Sequence, residues 1–329
     1  MKIAILPTPA GQRRLFAEHH WERLARLGDV VRNEREERPD PEAIGELMAG
    51  ADVVVTSWGS PALTKQLLDR APGLRAVVHA AGTVKPIVTP ELWERGIRVS
   101  SGNDALAVGV AETALGLTIV SLKNMWELAQ QSRQGLWGAG RSRVRELYGL
   151  AVGVIGAGRA GRHYIRLLRQ FAVNIFVYDP VLGAAEIETL GATKADLETL
   201  LTSCDVISIH APALPATYRL INRERLALMK DDAILINTAR GSIVDEEALT
   251  EELRKGRLFA CLDVTDPEPP AADHPLRGLQ NCILTPHIAG AVSNGVRRLG
   301  MYAVEELERL KAGEPLQGEV REAHLAVLA

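Results

Sequence analysis

Short apolar runs rich in Val, Ile and Leu recur along the chain, separated by stretches where apolar and charged residues alternate at helical spacing. An apolar run of a few residues bounded by turn formers predicts a strand buried on both faces, and the 3.6-residue alternation predicts the helix that covers it. In the first hundred residues strands are predicted at 3–6, 30–31, 51–56 and 74–80, with helices at 12–27 and 64–70. The charged stretch from Arg32 to Glu42 reads as a solvated loop entering a helix rather than as a recognition tail. A second series predicts strands at 152–155, 174–178, 205–209, 233–237, 258–263 and 282–284, with helices near 184–190, 196–201, 223–228 and 245–255. An amphipathic helix at about 291–311 follows. Strands alternating with helices imply parallel sheets covered on both faces, so the predicted class is α/β, with two doubly wound parallel-sheet domains.

Between the two series, residues 103 to about 134 predict one long helix whose first half is apolar nearly all round and so is buried on more than one side. One face can meet its own domain. The other predicts a twofold homodimer through the helix from Asp104, with burial inside one chain as the competing explanation. The stretch carries Glu112 and falls short of an uninterrupted membrane span. The apolar run between Lys2 and Pro7 is too short for a signal peptide.

Composition narrows the class. In 329 residues, 47% hydrophobic content is ample for two cores, and a formal charge of −3 gives no reason to expect nucleic acid or an anionic membrane as partner. Three cysteines without C-x-x-C spacing read as reduced core residues of a cytoplasmic protein. The eight histidines show no H-x-x-H or H-E-x-x-H spacing, so no metal site is expected.

The candidate chemistry starts at residues 149–180. Val152 to Ile155 is followed by Gly156, Gly158 and Gly161 as G-x-G-x-x-G and then by a helical pattern. The first glycine permits a tight turn, the second a close approach of a pyrophosphate, and the third close helix–strand packing. The phosphates are expected at the helix N-terminus near Arg159. Asp179 ends the next strand 18 residues after Gly161, a spacing that suits a ribose-binding acid. A carboxylate there accepts from a ribose 2′-hydroxyl and repels a 2′-phosphate, which predicts NAD over NADP. The same residue, before Pro180, also suits a plain turn former.

Three polar residues then follow three predicted strand ends: Arg240 after 233–237, Glu268 after 258–263 and His287 after 282–284. That edge of an α/β sheet is where ligands gather. Arginine offers a fork for a carboxylate, histidine titrates near neutrality, and a glutamate can hold an imidazole in one tautomer. Together they suit hydride chemistry with proton exchange on a small 2-oxo or 2-hydroxy acid. An earlier strand runs into AAGTVK at 80–85, where the backbone amides of Ala81 and Gly82 either meet a small anion or make an ordinary strand-to-loop turn.

VGVIGAGRAG, FVYDP, HAPALPAT, INTARGSIVDEEAL, CLDVTDPEP and LTPHIAG follow one another in the order found in the D-isomer-specific 2-hydroxyacid dehydrogenases, which the chain resembles over nearly its whole length. The resemblance implies a Rossmann domain at 102–288 inserted into a flavodoxin-like substrate domain made of 1–101 and 289–329. It implies that Arg240 holds the substrate carboxylate and carbonyl, that His287 is the acid/base and that Glu268 is its partner. Arg159 and Ala160 then lie on the pyrophosphate, Asp263 reaches the nicotinamide amide, and His210, Pro212, Thr217, Thr238, Ala239 and Gly290 stand beside the cofactor. The family usually has G-V-G-x-D-N where this chain has AAGTVK, so Val84 and Lys85 replace an acid and an amide, and Lys85 suits either a second anionic group or a solvent-exposed position. The chain also ends before the regulatory domain of longer phosphoglycerate dehydrogenases. Rival readings are a cofactor-sensing corepressor and a formate- or phosphite-type dehydrogenase.

Overall fold

A computed structural model describes residues 1–37, 40–138 and 140–327. Arg38 and Pro39 of the charged run lie outside the described residues. The chain divides into two compact units, Met1–Leu106 with the segment from Ala291 onward, and Ala107–Gly290.

The first unit holds strands β1 (Lys2–Ile5), β2 (Asp29–Arg32), β3 (Val53–Thr56), β4 (Ala76–His79) and β5 (Arg98–Ser101), with β13 (Glu319–Val320) added at the edge. Their order is β2-β1-β3-β4-β5-β13, and every pair is parallel except β5 with β13. That is the flavodoxin-like order. The strands β3 and β4 are buried throughout, as their unbroken apolar runs require. The predicted helix 12–27 is two helices, Pro9–Leu15 and Glu18–Leu27. The break falls at Phe16, whose backbone is extended, and at Ala17, whose N–H donates to His20 Nδ1 at 2.9 Å. The strand β5 was not predicted. Its sequence RVSS has no apolar run, yet Ser100 and Ser101 are buried because their hydroxyls are bonded, Ser101 Oγ donating to the Gly82 carbonyl at 2.6 Å.

The second unit holds β6 (Ala151–Ile155), β7 (Asn174–Tyr178), β8 (Thr193–Lys194), β9 (Val206–Ile209), β10 (Ile234–Asn237), β11 (Phe259–Leu262) and β12 (Cys282–Leu284). All pairs are parallel and the order is β8-β7-β6-β9-β10-β11-β12. Counted within the unit this is the Rossmann order, which reverses direction between β6 and β9. Two apolar cores cover the sheet. The helix Arg159–Leu168 buries Gly161, Tyr164, Ile165 and Leu168, the spacing of one helical face. The three cysteines are buried and unpaired, in agreement with the sequence reading.

The long helix is shorter than expected. It runs Asn103–Leu122, and a second helix, Met125–Arg133, begins after Asn124, which takes a left-handed φ of 50° that Asn tolerates better than most residues. At 20 residues with mean hydropathy 1.8 it is long and apolar enough to cross a membrane, which corrects the expectation drawn from Glu112. Its Ala111, Ala114, Leu117 and Leu122 nonetheless pack into a core of the second unit.

Candidate active site

The turn after β6 assigns a distinct physical demand to each glycine. Gly156 has φ +90°, and a Cβ there would sit 2.8 Å from the Ala211 nitrogen. A Cβ on Gly161 would sit 2.1 Å from the Gly156 carbonyl oxygen, so helix and turn touch backbone to backbone. A Cβ on Gly158 would meet nothing within 4 Å. Two glycines are therefore required by packing, and the third faces open space at the N-cap of Arg159–Leu168. Arg159 and Ala160 form the first turn of that helix.

Asp179 lies beside this turn. Its Oδ2 accepts from the Ala157 N–H at 2.8 Å, while Oδ1 accepts from Val181 at 2.8 Å and Leu182 at 3.1 Å. The carboxylate thus does the work of a turn former and also braces the glycine turn. Across the reversal point, the loop after β9 starts at His210, whose N–H donates to the Ile155 carbonyl at 2.8 Å. The His210 ring is buried, Nε2 bonds Ser208 Oγ at 2.9 Å, and burial pushes its pKa down to about 3. That loop is ordered by Thr217, whose hydroxyl donates to the Pro212 carbonyl at 2.6 Å and accepts from the Leu214 N–H at 2.8 Å.

After β10, Asn237 organises the next loop: its Oδ1 accepts from the Ala239 N–H at 3.0 Å and its Nδ2 donates to the Arg240 carbonyl at 2.9 Å. Arg240 is exposed, and its Nη1 donates to the Ala239 carbonyl at 2.6 Å. Gly241 lets this loop press on the next one, since a Cβ there would fall 2.1 Å from the Thr265 carbonyl carbon. The loop after β11 carries Glu268, and the Asp266–Pro267 and Glu268–Pro269 bonds are cis. The loop after β12 carries His287. Their side chains meet, with His287 Nδ1 2.7 Å from Glu268 Oε1 and both half-exposed. The pairing expected from sequence is present.

His287 has a φ of +52°, uncommon for a non-glycine residue, and Asp263 holds it there. Asp263 is 1% exposed, and its carboxylate accepts from Thr285 Oγ1 at 2.6 Å, Ile288 N at 2.9 Å and Ala289 N at 2.7 Å, while its carbonyl accepts from His287 N at 2.9 Å. Asp263 is therefore the clasp of the histidine loop. Sequence reasoning placed it near the cofactor but missed this role, and it missed Asn237, Gly241 and Thr285 entirely. Of these, only the glycine in TARG carried a signal. Gly290 follows directly, 3.3 Å from where a Cβ on Gly109 would stand.

The cofactor fit can be judged from two orphaned atoms. Among the described residues, His210 Nδ1 and Thr238 Oγ1 are buried without any hydrogen-bond partner. Both lie just past strand ends on the same sheet edge as the open space at Gly158, where a polar ligand can satisfy them.

In the first unit, AAGTVK follows β4. Ala81 and Gly82 are buried, and among the described residues no acceptor takes either amide N–H. Val84 is 3% exposed and belongs to the core with Leu63, Leu67 and Ile87. Lys85 is exposed.

A doubly wound nucleotide-binding unit, with a histidine–carboxylate pair at its strand edge, defines a class of dinucleotide enzyme. The family model for the D-isomer specific 2-hydroxyacid dehydrogenase NAD binding domain matches residues 115–289. The chain is 33% identical over 274 residues to hydroxypyruvate reductase of Thermotoga maritima, covering 82% of this chain and 88% of that one. It is 34% identical over 275 residues to D-3-phosphoglycerate dehydrogenase of Methanocaldococcus jannaschii, covering 83% and 52%. A phosphoglycerate oxidoreductase structure from Rhizobium etli superposes with a TM-score of 0.84 at 26% identity, covering 98% of each chain. The chain belongs to the D-isomer specific 2-hydroxyacid dehydrogenase family, and its second unit is the NAD-binding domain. It spans about half the length of the phosphoglycerate dehydrogenases it matches.

Proposed function

We propose that the protein is a soluble, cytoplasmic, NAD-dependent oxidoreductase that interconverts a small 2-oxo acid and its D-2-hydroxy acid. The observation that carries this reading is the His287–Glu268 pair at 2.7 Å, on the same sheet edge as the glycine turn. The hydride comes from the nicotinamide when NADH is bound. His287 gives the proton to the carbonyl oxygen as carbon is reduced, and takes it back in the reverse direction. Glu268 on Nδ1 holds the ring in one orientation and leaves Nε2 to face the substrate. Arg240 has an exposed guanidinium whose remaining donors suit a carboxylate held bidentately. In the first unit, the buried amides of Ala81 and Gly82, which no acceptor takes among the described residues, suit a small anion.

For the cofactor, Gly156, Gly158, Arg159, Ala160 and Gly161 take the pyrophosphate, Asp179 the ribose, and His210, Pro212, Thr217, Thr238, Ala239, Asp263 and Gly290 complete the wall. The lone pair that Asp179 Oδ2 has left supports NAD over NADP. The exposed Met125, Trp126 and Trp137, on and just beyond the helix that follows the one from Asp104, support a homodimer through this stretch, and light scattering showing a monomer at micromolar concentration removes that part. The main test is NADH and NADPH oxidation with glyoxylate, pyruvate and hydroxypyruvate. His287→Ala should lower turnover by about 10²–10⁴-fold while still binding NADH; wild-type turnover in that variant rejects the assignment. Arg240→Lys should act mainly on KM, because an ammonium lacks the fork.

A further inference from the structure

Near the His287–Glu268 pair lies a second carboxyl–imidazole pair to which the reaction assigns nothing. Glu246 opens the helix Glu246–Arg254, and its side chain is only 11% exposed. Its Oε1 accepts from the Asp266 N–H at 2.8 Å. Its Oε2 is buried 3.3 Å from His274 Nε2, but the two are not aligned for a hydrogen bond, and His274 Nδ1 is buried without a partner among the described residues.

The segment that Glu246 grips is the one that carries Glu268. Residues 266–270 read DPEPP, so Asp266 and Glu268 supply its only two amide N–H groups. Few anchors are therefore available. Thr265 Oγ1 donates to the Pro267 carbonyl at 2.9 Å, and the Arg277 guanidinium donates to the carbonyls of Pro270 and Ala271, each at 2.9 Å. One of the two amides is taken by Glu246, two residues before the carboxylate that meets His287.

We propose that Glu246, backed by His274, is a positioning residue for Glu268: its carboxyl fixes the Asp266 amide and so sets where the Glu268 carboxylate meets His287. The inference rests on the reading of His287–Glu268 as the acid–base pair. The groups that face Glu246 are His274, the Asp266 carboxylate and Cys282. Burial, with the like charge of Asp266 added, pushes the Glu246 carboxyl up to about 7, so the grip is made by a group whose charge changes near neutrality. Displacing a catalytic group by about 1 Å can cost about 10²-fold in rate, so an indirect hold of this kind is worth a measurable factor.

Two measurements on the full chain test it. In hydrogen–deuterium exchange, the Asp266 amide should exchange at least about tenfold faster in Glu246→Ala and stay within about threefold of wild type in Glu246→Gln, whose amide oxygen still accepts. An Asp266 amide that exchanges at the wild-type rate in Glu246→Ala overturns the proposal. In turnover, Glu246→Ala should lower kcat about tenfold or more with NADH affinity within about twofold of wild type, and should cost nothing further once Glu268 is Gln. The same loss in both backgrounds overturns the proposal by making the role structural. If Glu246→Ala does not fold, Glu246→Asp, one methylene too short to reach the amide, gives both readouts. A wild type that reduces no 2-oxo acid rejects the enzymatic reading and leaves the exchange experiment as the test of the Asp266 grip.

Discussion

Substituting alanine at two glycines of one turn should separate folding from cofactor binding. At Gly161, an alanine Cβ falls 2.1 Å from the Gly156 carbonyl oxygen. Favourable heavy-atom contacts lie near 3.5 Å, so helix and turn must part by about 1 Å, and overpacking of this kind costs about 1–3 kcal/mol or more. At about 2–4 °C per kcal/mol for a chain somewhat smaller than this one, Gly161→Ala should lower Tm by about 2–12 °C. At Gly158 the backbone has φ −68° and a Cβ meets nothing within 4 Å, so the fold does not need glycine. Gly158→Ala should leave Tm unchanged or raise it by about 1–4 °C, because alanine narrows the unfolded ensemble. The added methyl instead occupies the space proposed for the pyrophosphate. A steric cost of about 1–3 kcal/mol there weakens NADH about 5- to 150-fold. Calorimetry measures the first effect and NADH fluorescence titration the second. Gly158→Ala binding NADH as tightly as wild type refutes the cofactor placement, and an unchanged Tm for Gly161→Ala refutes the packing argument.

Asp263→Asn keeps the shape but turns an amide NH2 toward backbone donors, leaving at least one buried N–H unpaired at about 1–3 kcal/mol; Tm should fall by several degrees and kcat by more than tenfold, and unchanged turnover contradicts the clasp. Thr238→Val removes a buried hydroxyl that has no partner among the described residues, so stability should hold or rise while NADH affinity weakens severalfold; the opposite pattern in the same two assays counts against a ligand role. Glu246 supplies a pH prediction. Its folded pKa is raised from 4.5 to about 7, so the fold favours the neutral carboxyl; that contribution is complete below pH 4.5 and is lost as pH rises through 7. Urea melts of wild type against Glu246→Gln should therefore diverge between pH 5 and 8, wild type losing about 1–3 kcal/mol relative to the variant, and parallel curves exclude the shift.

What the sequence made legible depended on how local each cause is. Strands such as β3, β9 and β10 are apolar runs because parallel sheets bury both faces, so each could be read from its own residues. The edge strand β8 is two exposed residues, and β5 is half serine, so neither had a pattern to show. The glycine turn was legible for the same local reason: a positive φ, an open approach and a backbone contact are needed within six residues. Asp263 was not, because its three partners lie 22 to 26 positions later and reach it only after the β12 loop folds back. Likewise Glu246 reads as an ordinary acidic first-turn residue, and only the tertiary contact with Asp266 reveals anything more.

The substrate loop shows the converse case. In AAGTVK the sequence comparison drew attention to Val84 and Lys85, the positions that differ in type from the family pattern. Yet Val84 lies in the core, so replacing an acid there removes a charge from the loop without putting a side chain into a pocket. The buried amides of Ala81 and Gly82 are backbone groups and stay the same whatever residue stands at 84, while Lys85 is the exposed charged side chain of the loop. A neutral pair of amide donors discriminates among carboxylates less than a charged side chain does, because it recognises the anion and not its substituent. It follows that Val84→Asp should harm the fold through a buried charge, measured as a lowered Tm, before it changes substrate preference.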